Sequence, residues 1–492
     1  MRMQKKTIYL FVLIIVCLGI PSSIFSEEVH LTVNQSIKLA LKNNFKMQII
    51  NKSFPLSRSM LRSAKGIYDP AVSLQASYAD SEEAQVSSIF GSKNKTTDLS
   101  LSLNQRIFTG GAFDLSFAGS KSDSNSLFST LNPSYFSKVS LSFSQSLLRN
   151  IWGKQDNEAI YLARQGVRIS DLALYEQMAA FIVDFNQKYW DLVLARKRLE
   201  VIEESFKRAS RLLEHNLKQY NLGLVEETDI LQLKAIVALR EVDVLQAQDG
   251  LINAQDILRN AIYEDGIFNA GTIVPSESFE VPSDDVTLPP IEVIQNDAFQ
   301  MRWDINQARL DLENKKYMYT ARANGKLPTL DVNGGLSYTG IGDSTSSSYD
   351  STKSGNHPVW FSGLLFQLPL GNRGFKGLYN LAQTEYEIAQ LTLKNIEKNI
   401  LVESSQAHRK VLTSIKRVRA VQKAEKLQEQ KLNLEEKKFK QGRSSVKIVI
   451  DFQDDLQAAR LSSLQSLIEY TMSRVELDFI KGSLLKSAGI QP

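Results

Sequence analysis

The sequence repeats itself, and this duplication constrains the fold more than any single motif does. Residues 218–231 (KQYNLGLVEETDIL) resemble residues 437–450 (KKFKQGRSSVKIVI), and 219 positions separate the glycines of the two segments. Further upstream, the Asp-Pro step at Pro70 is matched by the Leu-Pro step at Pro328, 258 positions later. The first copy therefore carries 39 additional residues (258 − 219). A duplication on this scale predicts one architecture built from two related units.

The amino terminus is predicted to be a secretory signal peptide over residues 1–26. A basic start is followed by the apolar run Ile8–Ile20 and by a stretch of small residues. The run is too short to span a bilayer comfortably, so we favour cleavage over a retained anchor. The only cysteine, Cys17, lies inside this run. Lipidation of Cys17 is the weaker alternative, because Val16 precedes it where a small residue is expected. The exported chain would have no disulfide.

Composition and motifs argue against catalysis. A net charge of +4 on 492 residues implies no polyanionic partner, so nucleic acid is not expected. The four histidines are scattered without ligand spacing, and the turn at 371–374 lacks the Lys-Ser/Thr pair of a phosphate loop. We find no catalytic triad or paired carboxylates. We therefore expect no enzymatic activity, no cofactor and no metal site.

Alternation with a period of two predicts β-strands in both copies. Apolar residues alternate with Ser and Asn in four segments within about 70–148 and in two segments within about 329–368. The polar faces lack the Lys and Glu of a soluble sheet, a pattern typical of a membrane barrel with a wet interior. A soluble β-sandwich is the alternative. Since no later segment can span a bilayer as a helix, a mature chain that crosses a membrane must form a closed barrel.

Long helical hairpins are predicted after each group of strands, over about 153–264 and about 377–486. An arm of roughly 60 residues would be about 90 Å long. Residues 265–290, rich in Gly, Pro, Ser and Asp, form the predicted linker between the repeats 27–264 and 291–487. In the first hairpin, apolar residues recur about every 3.5 positions and predict a coiled-coil seam. These residues are Ile230, Leu233, Val237, Val244, Leu251 and Leu258.

Shorter elements are expected elsewhere. A helix over about 32–66 should be interrupted or kinked at Pro55, and a second helix should cover about 291–325. A short strand is expected at about 272–274. The Ser-, Gly- and Asp-rich segment up to His357 is expected to be a loop.

This organisation resembles the outer membrane efflux protein (TolC) family over about residues 30–487. The resemblance is carried by the opening motif at 31–44, by the step Gly66-Ile-Tyr-Asp-Pro70 with its echo at 326–328, and by the two Tyr/Phe-x-x-Gly turns. Each motif alone is weak, whereas their order, duplication and spacing together are specific.

The resemblance implies a mixed α and β membrane protein of the cell outer membrane that extends into the periplasm. Three copies would form a homotrimer, a transmembrane β-barrel continued by a long α-helical coiled-coil tunnel, with two internal repeats per chain. Such a protein is the passive exit duct of a tripartite efflux pump or a type I secretion system. Its partners are a periplasmic adaptor (membrane fusion) protein, an inner-membrane pump or ABC exporter, and outer-membrane lipid. The alternatives are a periplasmic coiled-coil scaffold without a pore and a general diffusion porin.

The resemblance also implies two kinds of site. The turns would lie at the periplasmic tip, where the adaptor docks; their residues are Tyr220, Gly223, Phe439 and Gly442. Acidic residues near the turns would narrow the entrance and attract cations. The family places Asp six and nine positions after the second glycine, but the first of these positions is Ile448 here. The candidate constriction residues are Asp229, Asp451, Asp454 and Asp455.

The surplus of the first copy leaves the strand number open. Family members commonly contribute four strands per chain, and the surplus holds one additional pair at about 105–143. If both strands enter the barrel, a trimer would have 18 strands; if they fold over the rim, it would have 12. We favour barrel membership because these strands alternate as cleanly as the first one.

Overall fold

A computed structural model describes residues 28–84, 91–262, 273–283 and 287–490. The predicted signal peptide with Cys17 and part of the predicted linker lie outside these residues. The described part contains eight strands: β1 (Val29–Leu31), β2 (Ala71–Glu82), β3 (Lys93–Ile107), β4 (Gly111–Ser124), β5 (Ser134–Ser146), β6 (Ile273–Pro275), β7 (Thr329–Gly342) and β8 (Pro358–Gln367).

Ten α-helices lie in the same ranges, and two of them exceed 60 residues. None of these described helices combines the length and the apolar character needed to cross a membrane. The helices are α1 (Val33–Asn43), α2 (Phe45–Lys65), α3 (Asp156–Tyr220), α4 (Glu227–Ile262), α5 (Ile291–Met301), α6 (Trp303–Gly325), α7 (Thr345–Lys353), α8 (Arg373–Lys440), α9 (Val446–Ile480) and α10 (Leu484–Ser487).

The chain folds into two compact units, and each draws residues from both sequence repeats. The sheet unit comprises Gln48–Phe181, Thr287–Leu412 and Ser473–Pro492, and the tip unit comprises the remainder. The repeat boundaries given above remain predictions, because the compact units do not follow them.

Six strands of the sheet unit form one antiparallel sheet in the order β2-β3-β4-β5-β7-β8. The register aligns apolar residues across all of them. One row runs from Leu74 through Leu101, Phe117 and Val139 to Tyr338. Because side chains alternate between the faces of a strand, this register gives the first five strands one apolar face and one face rich in Ser and Asn. The last strand, β8, carries apolar residues on both faces.

The additional residues of the first copy are part of this sheet. The strands β4 and β5, which contain the predicted pair, hydrogen-bond to β3 and β7 along nearly their whole length. The tight turn between β3 and β4 contains Gly110, whose φ is 84°. A Cβ at this position would lie 2.2 Å from the carbonyl oxygen of Asn150, so only glycine fits. The sheet therefore contains six strands per chain.

The predicted loop before His357 is wrong in part, because it contains helix α7. Ser344 caps this helix by accepting a hydrogen bond from the Ser347 amide at 3.3 Å. The helix lies on β5 and β7, where the Ser137 hydroxyl donates to the Ser348 carbonyl at 2.8 Å. A Cβ on Gly340 would lie 2.2 Å from that same carbonyl oxygen. Contacts between distant residues, rather than local propensity, hold the Ser-rich segment in a helix.

Pro55 does not interrupt the helix, because α2 continues through this proline, and a kink there stays a prediction. The break falls at Asn44, where the backbone is extended with ψ of 128°. The side-chain oxygen of Asn44 accepts a hydrogen bond from the Lys46 amide at 2.9 Å and thereby caps α2. The second copy breaks 258 positions later, at Arg302, with ψ of 137°. The predicted single helix over 291–325 is therefore two helices, α5 and α6.

The two short strands form a separate two-stranded sheet in the tip unit. β1 and β6 pair in parallel, with Val29 opposite Ile273. The buried Tyr189 hydroxyl donates a hydrogen bond to the Leu31 carbonyl at 2.9 Å. Burial of the Tyr189 phenol, the largest influence on this group, raises its pKa above the ordinary value, so it stays a neutral donor.

Candidate functional site

Both hairpin turns end their first helix with the same backbone motif. In the first turn, the Gly223 amide donates to the Tyr220 carbonyl at 2.8 Å and the Leu224 amide donates to the Gln219 carbonyl at 3.1 Å. The Gly442 turn has the equivalent pair of bonds. This is the Schellman arrangement, which requires a left-handed residue after the helix. Gly223 and Gly442 satisfy it with φ of 75° and 70°.

The two turns differ in the aromatic residue that precedes the glycine. Tyr220 is 40% exposed. Phe439 instead packs against a cluster in which Leu233 of the first hairpin meets Val446 and Ile450 of the second. The cluster joins the two hairpins near their turns, so Phe439 contributes to the packing between the hairpins.

A buried carboxylate braces the second turn, and sequence reasoning missed it. Glu435 accepts hydrogen bonds from the Ser444 hydroxyl at 2.6 Å and from the Lys438 ammonium at 3.0 Å. The bonds from Ser444 and then Lys438 hold the pKa of the Glu435 carboxyl below its ordinary value. The sequence signal would have been an acid seven positions before the glycine and a serine two positions after it. The first turn has Asn216 and Val225 at the corresponding places.

The four candidate constriction carboxylates separate into two pairs. Asp454 forms an ion pair with Arg240 of α4, and Asp455 forms one with Lys431 of α8 at 2.8 Å. Asp229, in the first turn of α4, and Asp451, on an exposed position of α9, form no ion pair with the described residues. Of the four candidates, therefore, Asp229 and Asp451 are the two without an ion-pair partner among the described residues.

A cluster of ion pairs also connects the two hairpins, and the sequence did not predict it. Arg460 of α9 contacts Glu204 of α3, Glu429 of α8 at 3.0 Å and Glu425 of α8 at 3.8 Å. Desolvation alone would raise the pKa of Glu204, but Arg208 and Arg460 outweigh it, and the pKa is lowered. The side chain of Arg460 is only 17% exposed, whereas its partners Glu204 and Glu429 are 43% and 45% exposed, so the cluster links three helices with its carboxylates partly in water.

Helix α4 has two apolar stripes on opposite sides. The predicted seam faces the rest of the tip unit, with Ile230, Leu233 and Leu258 fully buried. The second stripe is 48–66% exposed in the single chain. Its members are Leu231, Leu239, Val242, Leu245 and Ile252. An amphipathic helix that packs on only one side has a single apolar stripe. A second exposed apolar stripe is typical of a surface that binds another protein segment.

The described ranges contain no cluster of side chains that could hold a metal ion. No three His, Cys, Asp or Glu side chains there come together as they would around a metal ion. The chemistry that these hairpins offer is electrostatic and steric, namely unpaired carboxylates, exposed turns and exposed apolar stripes.

Comparison with known proteins identifies relatives of this arrangement. The family model described as "Outer membrane efflux protein" matches residues 294–483. The outer membrane protein TolC of Escherichia coli (strain K12) is 21% identical over 356 residues, which cover 70% of this chain and 69% of the relative. The TolC protein of Vibrio cholerae serotype O1 is 21% identical over 346 residues, covering 70% of this chain and 76% of the relative.

Solved structures share the fold at lower identity. The CmeC outer membrane channel of Campylobacter jejuni superposes with a TM-score of 0.68 at 18% identity, covering 92% of this chain and 86% of that one. CusC superposes with a TM-score of 0.69 at 17% identity, covering 92% of each chain.

An apolar-faced antiparallel sheet and two hairpins of very long helices, together with these relatives, define the class: a channel of the outer membrane. The chain belongs to the outer membrane efflux protein family. It is an efflux channel in a family of transporters that are not enzymes. TolC-family channels generally form trimers and act in efflux pumps. The predicted family, fold class, function and location are thereby confirmed; the site residues and the individual partners stay predictions.

Proposed function

We propose that three copies of this chain form the exit duct of a tripartite efflux pump or a type I secretion system. The observation that carries the proposal is that the six-stranded sheet is open. Its two edge strands, β2 and β8, are exposed along their length and pair on one side only. An apolar-faced sheet with open edges cannot lie in lipid, because unpaired backbone groups there are costly.

The strand directions support closure by identical neighbours. With six antiparallel strands, β2 and β8 run in opposite directions, so β8 of one copy can pair with β2 of the next in an uninterrupted antiparallel sheet. Three copies would contribute 18 strands. A ring of this size leaves an aqueous channel, lined here by the Ser and Asn face.

The exposed stripe of α4 supports the same assembly. Leu239, Val242 and Leu245 would pack against helices of a neighbouring copy, as the buried seam packs within the chain. The same trimer would bring three copies of Asp229 and Asp451 around one axis. Carboxylate rings of this kind narrow a pore electrostatically and favour cations.

The turns are proposed to dock the periplasmic adaptor, which links the duct to an inner-membrane pump or ABC exporter. Tyr220 and Gly223 belong to a turn that also exposes Leu222 and Leu224, which are 74% and 72% exposed. The turn at Gly442 is instead flanked by the basic residues Lys440 and Arg443. An adaptor would therefore meet one apolar and one basic turn per copy. Transport energy comes from the pump, and the duct itself is passive.

The first experiment is to extract the protein from the outer membrane in mild detergent and measure its native mass. We expect about three times the mass of the cleaved chain, a heat-modifiable mobility in gels and ion conductance in planar bilayers. A stable monomer, or a protein found in the soluble periplasmic fraction, would favour the scaffold without a pore.

A designed variant separates assembly from folding. Leu245→Glu introduces three charges into the proposed contacts between copies, so it should yield a helical chain that no longer trimerises. Gln248→Glu adds the same charge at an exposed position of the same helix, outside the heptad positions of the stripe, and should trimerise normally. Circular dichroism checks the helix content of both. A Leu245→Glu protein that still forms the trimer would refute the assigned contact.

A further inference from the structure

A cleft of about 660 Å³ opens on the apolar face of the sheet, beside helix α7. Its floor is formed by β3, β4 and β5, and one wall is formed by α7. Gly119 leaves the floor open, since a Cβ there would meet nothing closer than the Phe136 carbonyl at 4.0 Å. The side chains around this gap are largely apolar and 44–70% exposed. They are Leu74, Leu99, Leu101 and Phe117, with Tyr349 of α7 49% exposed.

The register places the cleft at a boundary between apolar and polar rows. Its lower part lies beside the row that contains Leu101 and Phe117. Four residues further along each strand, toward the β2–β3 and β4–β5 connections, four side chains lie opposite one another. They are Tyr78, Thr97, Lys121 and Tyr135. A band of tyrosine and lysine above an apolar band is typical of a membrane interface, where such side chains reach the headgroup level.

Lys121 is the cation at this boundary, and it forms no ion pair with the described residues. Its ammonium lies 5.7 Å from the centre of the Tyr135 ring. One row further out, Lys95 is already paired with Asp80 at 3.4 Å, and Asp123 lies opposite Lys95. Lys121 therefore carries an unpaired positive charge at the polar rim of the apolar cleft.

We propose that this cleft binds one acyl chain of an anionic phospholipid, whose phosphate pairs with Lys121; the inference rests on the proposed membrane insertion of the sheet. A volume of about 660 Å³ lies within the range of small-ligand sites, roughly 300–1,000 Å³. The floor strands are central in the sheet, so neighbouring copies that pair with β2 and β8 would leave the cleft open to lipid. The polar helix α7 forms the wall of the cleft at headgroup level. It is fixed there by the hydrogen bond from Ser137 and by its close approach to Gly340.

The test uses the full-length protein, stripped of lipid in detergent and titrated with phosphatidylglycerol or with phosphatidylcholine of the same acyl chains. Native mass spectrometry counts the lipids retained per trimer. We expect phosphatidylglycerol to be retained, at up to one per chain. Gly119→Leu, which fills the cleft, should abolish this retention. Ser362→Leu, on the same sheet face in β8 but outside the cleft, should not.

The charge is tested separately. Lys121→Gln should reduce the preference for phosphatidylglycerol over phosphatidylcholine by about fivefold, the effect of one lysine near an anionic headgroup. Lys121→Arg should keep the preference. Equal retention by the wild type and Gly119→Leu would overturn the site and would mean that detergent or protein fills the cleft. A trimer that retains no lipid overturns only this inference, whereas a monomer in the same spectrum overturns the proposed duct and the lipid site together.

Discussion

A single glycine carries the chain reversal at each hairpin turn. Gly223 and Gly442 have φ of 75° and 70°, and no side chain would obstruct a Cβ at either position. Their requirement is therefore conformational rather than steric. An alanine would have to adopt the left-handed region, which costs roughly 1–2 kcal/mol.

We predict that Gly223→Ala and Gly442→Ala each destabilise their turn by about 1 kcal/mol, because the left-handed strain exceeds the entropy that alanine saves in the unfolded chain. Gly250→Ala is the matched control. This glycine lies inside α4 with free space around it, so alanine should stabilise the helix by roughly 0.5–1 kcal/mol. Hydrogen exchange of the amides around each site measures both effects. The same sign at all three sites would contradict the argument.

The unpaired carboxylates give a second prediction for single residues. Asp229→Asn or Asp451→Asn should lower the preference of the open channel for cations over anions by about twofold or more, since each removes three charges from one ring. Asp249→Asn removes the same charge from α4 but lies about 30 Å from Asp229 along the helix. This control should leave selectivity unchanged. Reversal potentials in asymmetric salt measure it, and an equal effect of Asp249→Asn would show that no local ring exists.

Pairs of helices are held together by contacts that no single helix reveals. Arg460 pairs with Glu204, which lies 256 positions away, and with Glu425 and Glu429 of α8. Because the folded pKa of Glu204 is lowered, its contribution to stability is present above the unfolded value of 4.5 and is lost as the pH falls through the folded pKa.

We predict that Arg460→Met raises the pKa of Glu204 and shifts this acid-induced loss to higher pH. At neutral pH it should also destabilise the paired hairpins by roughly 1–2 kcal/mol, because hydrogen bonds to partly buried carboxylates are lost. Arg417→Met is the control, since Arg417 is 58% exposed and pairs only with Glu469 among the described residues. Hydrogen exchange of α3 and α9 between about pH 3 and pH 7 compares the two variants. Identical pH profiles would contradict the assigned role of Arg460.

The elements show which parts of the fold a sequence can predict. The alternation of apolar residues with Ser is local, so the six sheet strands could be read directly, including Phe113–Phe117 of the surplus pair. The helix α7 could not, because Ser137 and Gly340 hold it from outside its own sequence. Similarly, the turns were visible as Gly motifs, whereas the Arg460 cluster depends on the register between helices.

At the scale of the whole molecule, the strand number determines the pore. In the sheet, Val72 of β2 faces Leu103, which faces Leu115, which in turn faces Leu141 of β5. If β3 and β4 were absent, β2 and β5 would still run antiparallel and would still present apolar residues on the same face. The neighbouring strands β3 and β4 are therefore removable in register, and four strands per chain would remain.

We predict that deleting residues 91–126, which removes β3 and β4, converts an 18-stranded barrel into a 12-stranded one. Barrel diameter grows roughly linearly with strand number, so the diameter should fall to about two thirds. Electron microscopy of detergent-extracted trimers viewed along their axis measures this diameter, and native mass checks that the variant is still a trimer. A trimer of unchanged diameter would mean that the additional strands fold over the rim in the assembly. A reduced diameter would mean that six strands of each chain build the wall of the barrel.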